Sequence, residues 1–89
     1  MSQAKLKSLI SSIADLVERY LLDQIREARK NGIEQRAGIL SFREIWKLIE
    51  EGGGKRNVFF LRTVKRELQS RGWKIRKEGN WYIFIPERG

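Results

Sequence analysis

Apolar residues in the first third of the chain fall at Leu6, Leu9, Ile10, Ile13, Leu16, Val17, Tyr20, Leu21, Ile25 and Ala28. That three-four spacing gathers them on one side of an α-helix and leaves Glu18, Arg19, Asp23 and Arg26 on a wet side. No Gly or Pro interrupts the run and Asn31-Gly32 stops it, so the pattern predicts a helix over 4–30. At roughly 27 residues it would be about 40 Å long. A chain of 89 residues holds one modest core, so we expect a single domain over 1–89 that cannot cover all of this helix. Leu6, Leu9, Ile10, Ile13 and Val17 are then the expected interface of a homodimer.

A short extended piece at 37–40 precedes Ser41-Phe42-Arg43-Glu44, in which an N-cap serine is followed three residues on by a glutamate. This capping box predicts a second helix over 41–51 that buries Phe42, Ile45, Trp46, Leu48 and Ile49. Gly52-Gly53-Gly54 breaks it and reads as a long, flexible connector. Asn57 suits the N-cap of a third helix over 57–70, closed by Arg71-Gly72. Strands at 73–76 and 81–85 follow, making a hairpin over 73–85 with Lys77-Glu78-Gly79 as its loop and Pro86 as its stop. A three-residue loop puts Trp73, Ile75, Trp81, Ile83 and Ile85 on one face. Trp46, Trp73 and Trp81 are accordingly expected in the core rather than as a stacking platform for single strands. The fold class is α+β: three helices and a C-terminal hairpin, the first helix extended.

Composition narrows the chemistry. The chain has no Cys and no His, which removes disulfides, thiolate and imidazole catalysis, and zinc fingers. No phosphate-loop string is present, and carboxylates such as Glu50 and Glu51 are adjacent, so they do not face each other on a helix. We expect no enzyme, no cofactor and no metal. No apolar window is long enough to span a bilayer, and Met1-Ser2-Gln3-Ala4-Lys5 does not open a secretory leader. The expectation is a cytoplasmic protein with no membrane partner.

The net charge is +8, and its placement says more than its size. Between Lys55 and Lys77 lie nine basic residues and one acid, Glu67, whereas the rest of the chain carries as many acids as bases. A field gathered on one stretch is the footprint of a polyanion-binding surface.

The order of helix, short strand, helix, turn, basic helix and hairpin over residues 16–86 resembles the winged helix-turn-helix family. The resemblance rests on element order and the basic third helix, not on a signature string, and the three-glycine connector departs from a tight turn. It implies a homodimeric double-stranded DNA binder, a transcription regulator, with the third helix in the major groove and the hairpin as a wing on the backbone or minor groove. A DNA-organising or partition protein, an adaptor between proteins, and an RNA binder are the alternatives. At 100° per residue, Phe60, Leu61, Val64 and Leu68 form the core stripe of this helix. Phe59, Arg62, Thr63, Arg66 and Gln69 lie opposite and are the base-reading candidates, the arginines because a guanidinium can take guanine O6 and N7 together. The size of the Phe59 ring favours packing under the wing over contact with a thymine methyl group. Lys55, Arg56 and Asn57 at the third helix's N-terminus, Ser41 and Arg43 at the second's, and Lys65, Lys74, Arg76 and Lys77 are the phosphate candidates. The hairpin lysines and arginine are expected opposite the Trp73/Ile75 face or on the loop.

Overall fold

The computed structural model describes residues 3–87. Its first helix, α1 (Gln3–Lys30), is long because nothing in it breaks the backbone ladder, and its buried side is Ile10, Ile13, Ala14, Val17 and Leu21. It runs the length of the molecule, whose extents are 45 × 25 × 20 Å. Strand β1 (Gly38–Ser41) leads into α2 (Phe42–Glu51), and a turn at 52–57 leads into α3 (Val58–Ser70). Strands β2 (Trp73–Glu78) and β3 (Trp81–Pro86) complete a three-stranded antiparallel sheet of order β1-β3-β2. The architecture is α+β, as expected, with β1 recruited into the sheet beside β3.

Helix ends follow local chemistry. Ser41 accepts from the Glu44 amide at 3.1 Å while the Glu44 carboxylate accepts from the Ser41 amide at 3.0 Å, a complete capping box. Asn57 Oδ1 accepts from the Phe60 amide at 2.9 Å and starts α3. At the end of α2 the Gly54 amide donates to Ile49 O, and Gly53 sits at φ +96, a left-handed position that glycine takes without strain.

The three glycines form a fitted turn and not the flexible connector expected. A Cβ on Gly52 would lie 2.6 Å from Ile13 Cγ1, and one on Gly54 would lie 2.8–3.0 Å from Ile49, Ile13 and Phe60. Bare backbone thus lets the α2–α3 turn press against the middle of α1. This contact, and α3 lying along the same helix, cover α1 around Ile10, Ile13 and Val17, while most of residues 3–8 stay exposed. Ile13 and Val17 are fully buried and Ile10 nearly so, all within the chain's own core, and Leu6 and Leu9 pack against it. Ile10, Ile13 and Val17 are therefore occupied within the chain, whereas Leu6 and Leu9 keep part of their surface exposed.

The hairpin differs from its expected register for a reason of parity. Its connection is Gly79-Asn80, two residues rather than three, with Gly79 at φ +59 as the first central residue of a II′-type turn. Trp73 then pairs with Pro86, Ile75 with Phe84, and Lys77 with Tyr82. Paired residues share a face, so Trp73, Ile75, Tyr82 and Phe84 point inward. Trp81, Ile83 and Ile85 turn outward, and Trp81 is half exposed. Tyr82 and Phe84, which a three-residue loop would set on the face opposite Trp73, are core residues, with Phe84 among the most deeply buried. Trp73 is buried as expected; Trp46 is half-buried at the edge of the core.

Candidate nucleic-acid interface

Helix α3 separates cleanly into an inner and an outer stripe. Phe60, Val64 and Leu68 are buried, with Leu61 packed beside them. Phe59, Arg62, Arg66 and Gln69 are all exposed and recur at three-four-three spacing, so they form one ridge along the outside of the helix. Thr63 is set to one side, where it and Arg66 border a groove shared with Leu6 and Lys7 of α1. Its hydroxyl donates to Phe59 O at 2.6 Å, so its one donor proton is already engaged. Among the described residues no ion pair engages Arg62 or Arg66.

On the sheet side of the ridge the charges converge over aromatic rings. Lys65 Nζ stands 4.9 Å from the centre of the Tyr82 ring, and Lys77 Nζ stands 5.0 Å from that of Phe42. The two rings meet edge to face at 4.9 Å, which holds both ammonium groups over one apolar floor. Burial, together with the neighbouring charges of Lys77 and Arg62, pushes the Lys65 ammonium below its ordinary pKa. A cation held among cations, with no carboxylate paired to it among the described residues, is a site that favours an incoming anion. Neither aromatic was identified from the sequence as part of this surface. The signal for Tyr82 was the parity of the hairpin, which a three-residue loop inverts.

The other candidates divide. Lys77 lies on strand β2 and not in the expected loop, with its side chain on the inner face it shares with Trp73 and Ile75. Lys74 and Arg76 do project from the outer face, away from the α3 ridge, and Arg76 approaches Glu78 at 3.6 Å with both groups more than half exposed. Arg56 lies with its guanidinium carbon 5.9 Å from the Trp46 ring at the entrance to α3. Lys55 and Arg43 are exposed at the starts of α3 and α2. Ser41 Oγ and Asn57 Oδ1 are occupied by capping. Phe59 is 52% exposed and touches Phe60 edge to face at 5.6 Å, so it does not tuck under the hairpin. Val58 beside it is more exposed still.

Arg71 belongs to the architecture. Its guanidinium donates to Glu67 at 2.8 Å, to Asp15 at 2.7 Å and to Glu18 at 2.6 Å, and it reaches Ser11 Oγ at 2.9 Å. Burial works against its charge, but these hydrogen bonds outweigh that and hold its pKa above the ordinary value. This removes Arg71 from the basic surface, and with it Glu67, the one acid of the 55–77 stretch. The remaining positive charge is unopposed within that segment. Among the described residues no cluster of acidic side chains could hold a metal ion, and no helix is long and apolar enough to cross a membrane. Compared with protein-family models, with curated proteins and with solved structures, the chain matches none.

Proposed function

We propose that this chain binds double-stranded DNA as a winged helix-turn-helix protein, in the role of a transcription regulator or a DNA-organising protein. Helix α3 would enter the major groove, and the β2–β3 hairpin would act as the wing on the adjoining backbone. The observation that carries the reading is the ridge of Arg62 and Arg66, free of acidic partners, flanked by Lys65 and Lys77 over the Tyr82 and Phe42 rings. Arginines one helical turn apart project side by side, and each can take both acceptors of a guanine for about 1–3 kcal/mol of discrimination. Lys65 and Lys77 stand where a groove-bound helix leaves the phosphate backbone closest to the hairpin. Lys74 and Arg76, on the other face of the sheet, are secondary in this arrangement.

Selection of bound sequences from a random duplex pool tests the reading. The expected result is enrichment of a guanine-containing motif, with affinity that falls linearly in log salt by about 0.9 for each phosphate engaged. Arg62→Ala combined with Arg66→Ala should abolish the sequence preference while leaving weak, salt-sensitive binding. Recovery of no enriched motif, or a preference untouched by the double variant, would reject this assignment of the reading face.

One observation favours a second reading, that of a protein-interaction adaptor. Ile39 and Trp81 are 41% and 50% exposed on the outer face of the sheet, where a protein partner could bind. The two readings part on the same selection, because an adaptor enriches no duplex.

A further inference from the structure

We infer that Phe59 makes this protein read the C5 methyl group of a thymine next to the base pair read by Arg62. The inference rests on the proposed DNA-binding function and adds a specific base contact to it. Phe59 precedes Arg62 by three residues and Arg66 by seven on the same exposed ridge, so whatever the arginines face, the ring faces too. The axial rise from Phe59 to Arg62 is about 4.5 Å, between one and two base steps. Between base edges in the major groove, the thymine methyl is the apolar feature that an aromatic ring can bury.

Three features set Phe59 apart from an incidental surface aromatic. The ring is 52% exposed and rests edge to face on Phe60 at 5.6 Å and 85°. A ring already held by its neighbour loses little freedom on binding. Val58, 62% exposed, extends the apolar surface at the first turn of α3, so the helix enters with an apolar tip ahead of its arginines. Thr63 donates its hydroxyl proton to the Phe59 carbonyl, so its proton does not compete for a base edge beside the ring. The ridge therefore reads, from its N-terminal end, as apolar and then twice cationic, which matches a thymine followed by guanine.

The test uses the full chain and the tightest duplex recovered from the random pool. Each thymidine in the motif is replaced in turn by deoxyuridine, which removes the methyl group and leaves every hydrogen-bonding atom in place. At least one thymidine of the motif should be sensitive, with replacement weakening binding about fourfold, the value of one buried methyl group. Phe59→Ala should bind the thymidine and deoxyuridine duplexes equally, whereas Phe59→Leu should keep part of the difference. Because the ring is exposed, both variants should melt within a degree or two of the parent, checked by circular dichroism. Selective binding with no sensitive thymidine, a motif without thymine, or full discrimination surviving in Phe59→Ala would overturn the inference and leave the DNA-binding reading intact. Absence of any selective duplex binding would overturn both.

Discussion

Arg71 and Glu18, separated by 53 positions in the chain, are joined by a 2.6 Å hydrogen bond that ties the end of α3 to the middle of α1. The same carboxylate accepts from Trp73 Nε1 at 2.9 Å through its second oxygen. One glutamate thus fixes both the last turn of α3 and the first residue of β2, and Asp15 and Ser11 extend the attachment along α1. Because the Arg71 side chain is only 20% exposed, removing it leaves three carboxylates facing one another with no cation between them.

Arg71→Met should therefore destabilise the fold by about 2–3 kcal/mol, below the roughly 3–5 kcal/mol of a fully buried pair because Asp15 and Glu67 are partly exposed. Arg71→Lys should recover little, since one ammonium cannot reproduce a fork that reaches four side chains. Below its melting transition Arg71→Met should bind duplex DNA as the parent does, whereas the Arg62/Arg66 double variant should melt normally and lose selectivity. Thermal melts paired with a binding titration check the separation; loss of binding by folded Arg71→Met would return this residue to the interface.

Salt should act in opposite directions on stability and on binding. Lys65 sits among cations that have no carboxylate between them, so screening their repulsion favours the folded state. Between about 0.01 and 0.1 M salt the screening length falls from about 30 to 10 Å, and Tm should rise by several degrees over that range. Lys65→Met should reduce this rise more than Lys30→Met, which removes the same charge from the exposed last turn of α1. Equal slopes in the two variants would show that overall net charge, and not this cluster, sets the response.

Acid should weaken the start of α2. The Glu44 carboxylate is held below its ordinary pKa of 4.5 by the Tyr20 hydroxyl at 2.5 Å and by the Ser41 amide and hydroxyl. A depressed carboxylate stabilises the fold above its unfolded pKa, and that stabilisation is lost as pH falls through the lower folded value. Stability should decline below pH 4.5, and Glu44→Gln should flatten part of that decline. Urea midpoints measured from pH 7 to pH 3 check it; parallel curves for parent and variant would contradict it.

Gln24 should govern the exposed edge of the sheet. Its side-chain amide accepts from the Ile39 N–H at 2.7 Å and donates to the Ile39 carbonyl at 3.0 Å, occupying both backbone groups that an edge strand leaves open. Gln24→Ala should raise amide exchange at Ile39 at least tenfold, about the value of one hydrogen bond, while the Phe84 amide in the central strand changes little. Unaltered exchange at Ile39 would mean that the edge is protected by something other than this side chain.

Local chemistry was legible in the sequence wherever it acts within a few residues. The Ser41/Glu44 box, the Asn57 cap and the Asn31-Gly32 stop located all three helices to within a residue, because each is a contact across one turn of backbone. The division of α3 into a Phe60/Val64/Leu68 core and an Arg62/Arg66 ridge was legible for the same reason: helical periodicity is fixed by the backbone. The basic character of 55–77 was plain from composition alone.

What only the tertiary structure decided depends on partners far away in the chain. Lys77-Glu78-Gly79 and Gly79-Asn80 are both competent turns, and a difference of one residue inverts the hairpin. Pairing of β1 with β3 and burial of Tyr82 and Phe84 against the helices select the two-residue turn and place Trp81 outside. The removal of Arg71 from the basic surface required carboxylates on α1, and the covering of Ile13 required bare glycine backbone at positions 52 and 54 to press against that helix. Periodicity tells a side chain which face of its own element it occupies. Which other element covers that face depends on contacts that form only when distant segments meet.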